Sequence, residues 1–261
     1  MKKSWHNYTH LLTKRGRSLN NKFIVEGVRL CHEALLSDWN IETAFISEDF
    51  QSTPDWSDLR RKLETRRIHF TILKNSNFKK LADTEHPQGI ALVIQNLEID
   101  EEDSPLDHMN FLLILDGIRD PGNLGTLIRS ADWFGVDGVI SSEDCAELHN
   151  PKVIRSTMGS VFHLPILEVK KLKHFLAKLK EKNFFIVATS VSAKRDLEKF
   201  QFKRPLALIL GGEVQGISSG LQMEADVVVR IKKFGRAESL NVAQAGAIAI
   251  HYIANQLSTK R

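Results

Sequence analysis

Two uninterrupted apolar runs and a β-branched run broken only by Arg230, each delivering the chain into a polar loop, limit the fold more than any other feature. Phe111-Leu112-Leu113-Ile114-Leu115 enters Asp116-Gly117-Ile118-Arg119-Asp120-Pro121-Gly122-Asn123. Leu206–Leu210 enters Gly211-Gly212-Glu213-Val214-Gln215-Gly216, and Val227–Ile231 enters a loop holding Gly235, Arg236 and Glu238. A strand that is apolar at every position is covered on both faces, as in a parallel sheet between helices. The intervening sequence supplies such helices. Asn123 opens LGTLIRSADWF, which stops at Gly135 as a C′ residue. Lys152 to Met158 reads as a second helix, and Lys170 to Lys182 as a third, with Leu172, Phe175, Leu176 and Leu179 on one stripe. Val136–Ser141 and Phe184–Thr189 read as further strands, and Val161–Leu167 as extended chain broken by Pro165. Alternating strands and helices predict a mostly parallel α/β sheet over 109–261.

The last of these loops feeds an unusual helix. From Leu240 to Ile253 the chain is apolar nearly all round, and Ala243, Ala245, Gly246, Ala247 and Ala249 would let another backbone approach closely. Ser239 is the expected N-cap.

The N-terminal part has a different texture. Phe23-Ile24-Val25 is followed by helical spacing at Val28, Cys31, Leu35 and Leu36. Strands are expected near Thr43–Ser47, Ile68–Leu73 and Gly89–Gln95, a basic helix near Ser57–Arg66 and a helical turn at Asn77–Leu81. The expected division is a small α/β domain over 1–97, an acidic linker over 98–108 and the parallel-sheet domain over 109–261. Net charge is +3 over residues 1–99, −5 over 100–107 and +6 over 108–261. Residues 1–22 carry only basic charge, so Arg15, Arg17 and Lys22 are candidates for RNA phosphate; a solvated tail is the alternative. No apolar run matches a membrane span, and the basic N-terminus lacks the apolar core of a signal peptide. Cys31 and Cys145 have no metal-ligand spacing and read as reduced thiols of a cytoplasmic protein; the histidines form no zinc pattern, and no metal is expected.

Ligands of open α/β sheets bind beyond the carboxyl ends of the strands, so the three polar loops point to one pocket. Its chemistry is not that of the familiar motifs. The first loop is not GxGxxG, and the second lacks the Lys and Ser/Thr of a Walker loop. No nucleophile elbow is present, and neither cysteine falls in these three loops, so covalent hydrolysis is poorly supported.

Taken together, the loops resemble the SpoU/TrmH family of RNA ribose 2′-O-methyltransferases, within the knotted SPOUT class. The resemblance rests on Leu115–Gly125 continuing to Ile128-Arg129-Ser130-Ala131, on Leu208–Ser218, and on Glu238-Ser239-Leu240-Asn241-Val242. Lys152–Ile166 is similar to the family's middle segment, and residues 17–95 resemble its small ribosomal-protein-like substrate-binding domain. The chain departs from the family at Gly212 and Val214, where Asn and Gly are usual, and at Lys232-Lys233-Phe234, where a Pro-containing strand exit is usual.

The resemblance implies a deep trefoil knot, a homodimer with sites near its interface, and S-adenosylmethionine as methyl donor. Leu210, Gly211, Gly212, Glu213, Gly216, Ile231, Ser239, Leu240 and Asn241 would hold the donor. Arg129, Asn123, Glu213, Ser239 and Asn241 would serve catalysis, and Arg155 would contact RNA phosphate or else make a surface ion pair. Because a guanidinium is not deprotonated, Arg129 is expected to orient the ribose and stabilise developing alkoxide charge. Ribosomal RNA is favoured over transfer RNA as substrate. Two alternatives are a knotted RNA-binding protein without catalysis and a SPOUT enzyme that methylates a base.

Overall fold

The computed structural model describes residues 4–97, 106–213 and 215–258. Lys2 and Lys3 of the basic arm, residues 98–105 of the acidic segment and Val214 lie outside the described residues. In chain order, a 3₁₀ helix (Trp5–Leu12) precedes α1 (Lys14–Asn20), β1 (Lys22–Glu26), α2 (Val28–Leu36), β2 (Ile41–Ser47), α3 (Trp56–Thr65), β3 (Phe70–Leu73), α4 (Asn75–Phe78) and β4 (Ile90–Gln95). Then come β5 (Phe111–Asp116), α5 (Pro121–Trp133), β6 (Gly138–Ser142), α6 (Pro151–Thr157), β7 (Ile166–Val169), α7 (Leu172–Glu181), β8 (Phe185–Thr189) and β9 (Arg195–Asp196). The chain continues with β10 (Leu206–Gly211), α8 (Ser219–Glu224), β11 (Val227–Arg230) and α9 (Val242–Ser258). Two units result, one of Met1–Glu98 with Glu147–Phe162, the other of Ile99–Ala146 with His163–Arg261.

The first unit holds a mixed four-stranded sheet in the order β1-β4-β2-β3, with only β2 and β3 parallel. Residues 5–12 and 14–20 of this unit are helical and are no solvated tail. Tyr8 and Leu11 fall three apart, so one helical face carries both into a core with Ile24, Phe45, Phe78 and Val93. Arg17 is buried with them. Its Nε and Nη2 donate to Glu147 at 2.7 and 2.6 Å, and its Nη1 donates to the Leu11 carbonyl at 2.9 Å. A guanidinium satisfied in this bidentate way holds the fold together and is not available to RNA.

His149 in the same unit packs against Phe23, ring centroids 4.4 Å apart and planes tilted by 32°. An edge of the residue reaches the surface, but Nε2 is shielded from water and has no hydrogen-bond partner among the described residues. Burial pulls its pKa down to about 4, against a partial pull upward from Glu147. The folded protein thus binds this proton less readily than the unfolded chain does. Its neutral ring contributes full stability above the ordinary value of 6.5, and that contribution is lost as pH falls towards 4. Urea unfolding should record a loss of up to about 3 kcal/mol over this window, beyond that of a His149→Phe variant. Identical pH profiles for the two proteins would refute the assignment.

The second unit is a seven-stranded sheet in the order β7-β6-β5-β10-β8-β11-β9, and every recorded pairing is parallel. The apolar runs are covered on both sides, as their composition requires. Leu112, Ile114, Ala207 and Ile209 face one layer with the α7 stripe Leu172, Phe175, Leu176 and Leu179. The alternate residues face α5 and α9. There Gly246 lies so close to Leu127 and Leu210 that a Cβ would meet them at 2.3 and 2.8 Å, and the small residues of α9 admit this approach.

Local differences from the sequence reading have simple causes. Residues 160–162 form a 3₁₀ turn, and strand pairing resumes only at Ile166, because Pro165 has no N–H to give a ladder. Asp120 caps α5 by accepting from the Asn123 N–H at 2.8 Å, with Pro121 at the first helical position, so Asn123 sits inside the helix. Gly135 does follow the helix as its C′ residue, at φ +68°. The start of α9 is capped by Asn241, whose Oδ1 accepts from the Ala243 N–H at 2.9 Å; Ser239 lies outside the helix and is not its cap. No described helix is long and apolar enough to cross a membrane.

Candidate functional site

Strand order places the site. From β5 the chain moves to β6 and β7 on one side, then crosses to β8, β9, β10 and β11 on the other, so the topology switches between β5 and β10. Loops leaving two neighbouring strands in opposite directions open a crevice at their carboxyl ends. The register Leu115↔Leu210 and Asp116↔Gly211 brings both ends level. A cleft of about 260 Å³ lies there, lined by Asp116–Asp120, Asn123, Asp144, Gly212, Glu213, Gln215, Gly216, Ser218 and Val242.

The loop after β10 is folded back on itself. The Gly212 N–H donates to the Asp116 carbonyl and the Gly216 N–H to the Gly212 carbonyl, both at 2.9 Å. The Ser218 N–H donates to Asp116 Oδ2 at 2.8 Å. Side chains are excluded from the fold-back. A Cβ on Gly211 would stand 2.1 Å from Gly216 C and Ile217 N, and one on Gly212 would stand 2.4 Å from the Gly117 carbonyl oxygen.

One residue from each of the three loops meets at the mouth of this arrangement. Glu213 Oε1 accepts from Asn123 Nδ2 and from Asn241 Nδ2, each at 2.8 Å, and Asn241 Nδ2 lies 3.0 Å from Asn123 Oδ1. Asn241 spends its Oδ1 on the first turn of α9, so the same side chain starts that helix and ties it to the other two loops. The first loop is braced from behind: Ser142 Oγ accepts from the Gly117 N–H at 3.0 Å and Cys145 Sγ from the Ile118 N–H at 3.2 Å. Burial pushes the Cys145 thiol up from its ordinary value, which makes it a brace and a poor nucleophile.

The lining carries Asp116, Asp120, Asp144 and Glu213 against a single basic residue, Arg119. Such a cleft suits a cationic small molecule and disfavours a phosphate. It also presents backbone of Gly117 and Gly216 where nothing lies within 4 Å of the Cβ position. Asp116 and Asp120 stand inside the first loop, where nothing in the sequence distinguishes them from ordinary turn acids. Asp144 had no sequence signal, since it follows β6 and joins the cleft only through sheet order.

Several expected site residues lie elsewhere. Gly212, Glu213, Gly216 and Asn123 line the cleft; Leu210, Gly211, Ile231, Ser239, Leu240 and Asn241 do not, although Gly211 and Asn241 support its walls. Leu210 is core, Ile231 is half-buried, and Ser239 and Leu240 are exposed. Arg129 is exposed on α5 and outside the cleft. Of the four residues expected on RNA, Arg17 is buried against Glu147, Lys22 pairs with Glu42 at 2.5 Å, and Arg155 pairs with Asp83 at 2.7 Å. Arg15 alone of the four is exposed without a recorded ion pair among the described residues.

Comparison with known proteins agrees with this geometry. Residues 110–251 match the SpoU rRNA Methylase family, and residues 4–92 match an MRM3-like substrate binding domain. The chain is 32% identical over 243 residues to the 23S rRNA (guanosine(2553)-2′-O)-methyltransferase RlmP of Bacillus subtilis, covering 93% of this chain and 92% of that protein. The SpoU methyltransferase AviRb from Streptomyces viridochromogenes, in complex with AdoMet, superposes with a TM-score of 0.86 at 26% identity, over 96% of each chain. The AdoMet-bound rRNA methyltransferase from Sinorhizobium meliloti gives 0.82 at 27% identity, over 97% of this chain and 94% of that one.

Proposed function

The chain belongs to the SpoU rRNA methylase family, and on that footing we propose that it methylates ribose 2′-hydroxyls of ribosomal RNA with S-adenosylmethionine as donor. The observation that carries this reading is the Asn123–Glu213–Asn241 junction, which locks the three loops around an acid-lined cleft at the switch point of a parallel sheet. The donor supplies a methyl group already activated by a sulfonium charge. The four carboxylates suit that charge, and the glycine backbone of the second loop suits an adenine-sized plane lying close to the chain. We assign donor holding to Gly212, Glu213 and Gly216 in the cleft, with Leu210, Gly211, Ile231, Ser239, Leu240 and Asn241 as the surrounding frame.

What remains for the protein is alignment of the ribose and stabilisation of the oxygen as it loses its proton. Arg129 is given that task. It lies six residues beyond Asn123 on α5, hence about 9 Å along the axis and about a third of a turn away. From there it serves a cleft other than its own, and the reading therefore includes a homodimer. The outer face of α5 and α9 supports one: Trp133 at the end of α5 is 83% exposed, Ile248 on the packed helix α9 is 42% exposed, and Phe134 rests on His251 at 5.1 Å. A trefoil knot formed by the chain between β11 and α9, an RNA-binding role for residues 1–97 with Arg15, and a catalytic role for 109–261 complete the proposal.

Nucleoside mass spectrometry of unmodified 23S rRNA incubated with the protein and S-adenosylmethionine tests it. The expected product keeps its methyl group on the sugar after base cleavage; a base-methylated product, or donor binding without transfer, overturns the reading. Glu213→Ala should lower kcat/KM by about 100-fold, because all three loops lose their common tie. Its stability should change by less than ~1 kcal/mol, since the carboxylate is exposed. Unchanged kinetics in that variant would remove the junction from the mechanism.

A further inference from the structure

The chain between β11 and α9 carries a feature that neither the cleft nor the core uses. Residues 232–241 are exposed without interruption, and Phe234 is 85% exposed. A phenyl ring held in water gains nothing for the fold. Lys232 Nζ lies 4.9 Å from its ring centroid, Lys233 and Arg236 flank it, and no acid intervenes before Glu238. The loop ends at Asn241, whose amide is bonded to Glu213 and Asn123 at the mouth of the cleft. An exposed aromatic ring among cations, tethered beside a reaction site, is the arrangement by which single-stranded nucleic acid is held: the ring stacks on a base and the cations take its phosphates.

We infer that Lys232-Lys233-Phe234 with Arg236 forms an RNA subsite, in which Phe234 stacks on an unpaired base near the target ribose and the basic side chains hold the adjoining phosphates. With the Lys232 ammonium over one face of the ring, the other face is the one left for a base. The subsite complements the acidic cleft: the donor pocket repels phosphate, so the strand has to be held from its rim. The inference rests on the RNA methyltransferase reading for its choice of nucleic acid, and it adds the requirement that the RNA be unpaired at this point.

Direct binding separates the two. Full-length protein is titrated with an RNA hairpin bearing an unpaired loop and with the same sequence annealed as a continuous duplex. Phe234→Ala should weaken hairpin binding about fivefold or more and leave duplex binding unchanged, while Phe234→Trp retains wild-type affinity. Replacing Lys232 and Lys233 together by alanine should reduce the slope of log affinity against log salt by about 1.4, the value for two phosphates of a single strand. Affinity for S-adenosylmethionine should be the same in all variants. Hairpin binding by Phe234→Ala at wild-type strength overturns the subsite, as does equal loss on hairpin and duplex. A change of sedimentation mass in Phe234→Ala would place the ring at a chain–chain contact and also overturn it. If wild-type protein methylates rRNA but the Phe234 variants bind normally, the subsite alone falls. If no methylation occurs yet hairpin binding depends on Phe234, the subsite stands and the enzymatic reading falls.

Discussion

Adding one methyl group at Gly211 is expected to reduce methyl transfer by about 100-fold, the cost of displacing an aligned group by roughly an ångström. The new Cβ of Gly211→Ala would lie 2.1 Å from Gly216 C and Ile217 N, both backbone atoms that cannot swing aside. Something must move, and the strand is the less free of the two parties. Gly211 ends β10 in register with Asp116, next to Leu210, which is core. The loop is held by its fold-back bonds, by Ser218 on Asp116 and by the exposed Glu213 junction, none of which is core. Its displacement carries Glu213 away from Asn123 and Asn241, so donor binding measured by calorimetry should weaken along with turnover. Gly220→Ala is the control. It lies in α8, outside the cleft lining, with no positive φ and no atom within 4 Å of the Cβ position. The second variant should therefore be no less stable and should retain its turnover. Equal loss of turnover in both would show that the close approach at Gly211 is not what shapes the site.

The contrast between these two glycines also marks how far sequence carries. The apolar runs 111–115 and 206–210 disclosed a parallel sheet because a strand covered on both faces has no polar alternation to hide. The loops at their ends were legible as a shared site for the same reason. What could not be read was which residues the sheet order brings together. Asp144 joins the cleft from a loop after β6, and nothing in its neighbourhood announces a ligand. Charge was misleading at Arg17. Counting lysines and arginines suggested an arm for RNA, yet Arg17 meets Glu147 across 130 residues of sequence, a pairing that composition cannot anticipate. Capping failed by a small margin of the same kind. Ser239 and Asn241 are both good caps, and only the tie of Asn241 to Glu213 and Asn123 decides where α9 begins. Local chemistry was readable where one segment settles its own state. It was unreadable where two distant segments settle it jointly.

Arg129→Ala is expected to lower kcat by about 100- to 1,000-fold, the usual effect of losing a group that stabilises developing oxyanion charge, while leaving donor affinity intact. The unchanged affinity follows from its position, because Arg129 is exposed on α5 and contributes nothing to the cleft lining. That position makes a sharper test possible. Asn123, on the same helix, faces Glu213 and the cleft, whereas Arg129 is turned about a third of a revolution from it. If Arg129 acts on a ribose bound at the partner's cleft, two inactive proteins should complement each other. In a mixed dimer of Arg129→Ala with Glu213→Ala, one site has an intact cleft from the first chain and an intact arginine from the second. The other site lacks both. Random exchange puts half of the dimers in the mixed form, so equal mixing should restore about a quarter of wild-type turnover. An arginine acting within its own chain leaves every site defective, and mixing then restores nothing. A monomer by sedimentation would give the same null result and would separately remove the dimer from the proposal. Recovery near a quarter requires both the dimer and the exchanged arginine, since neither alone yields an active site from these two chains.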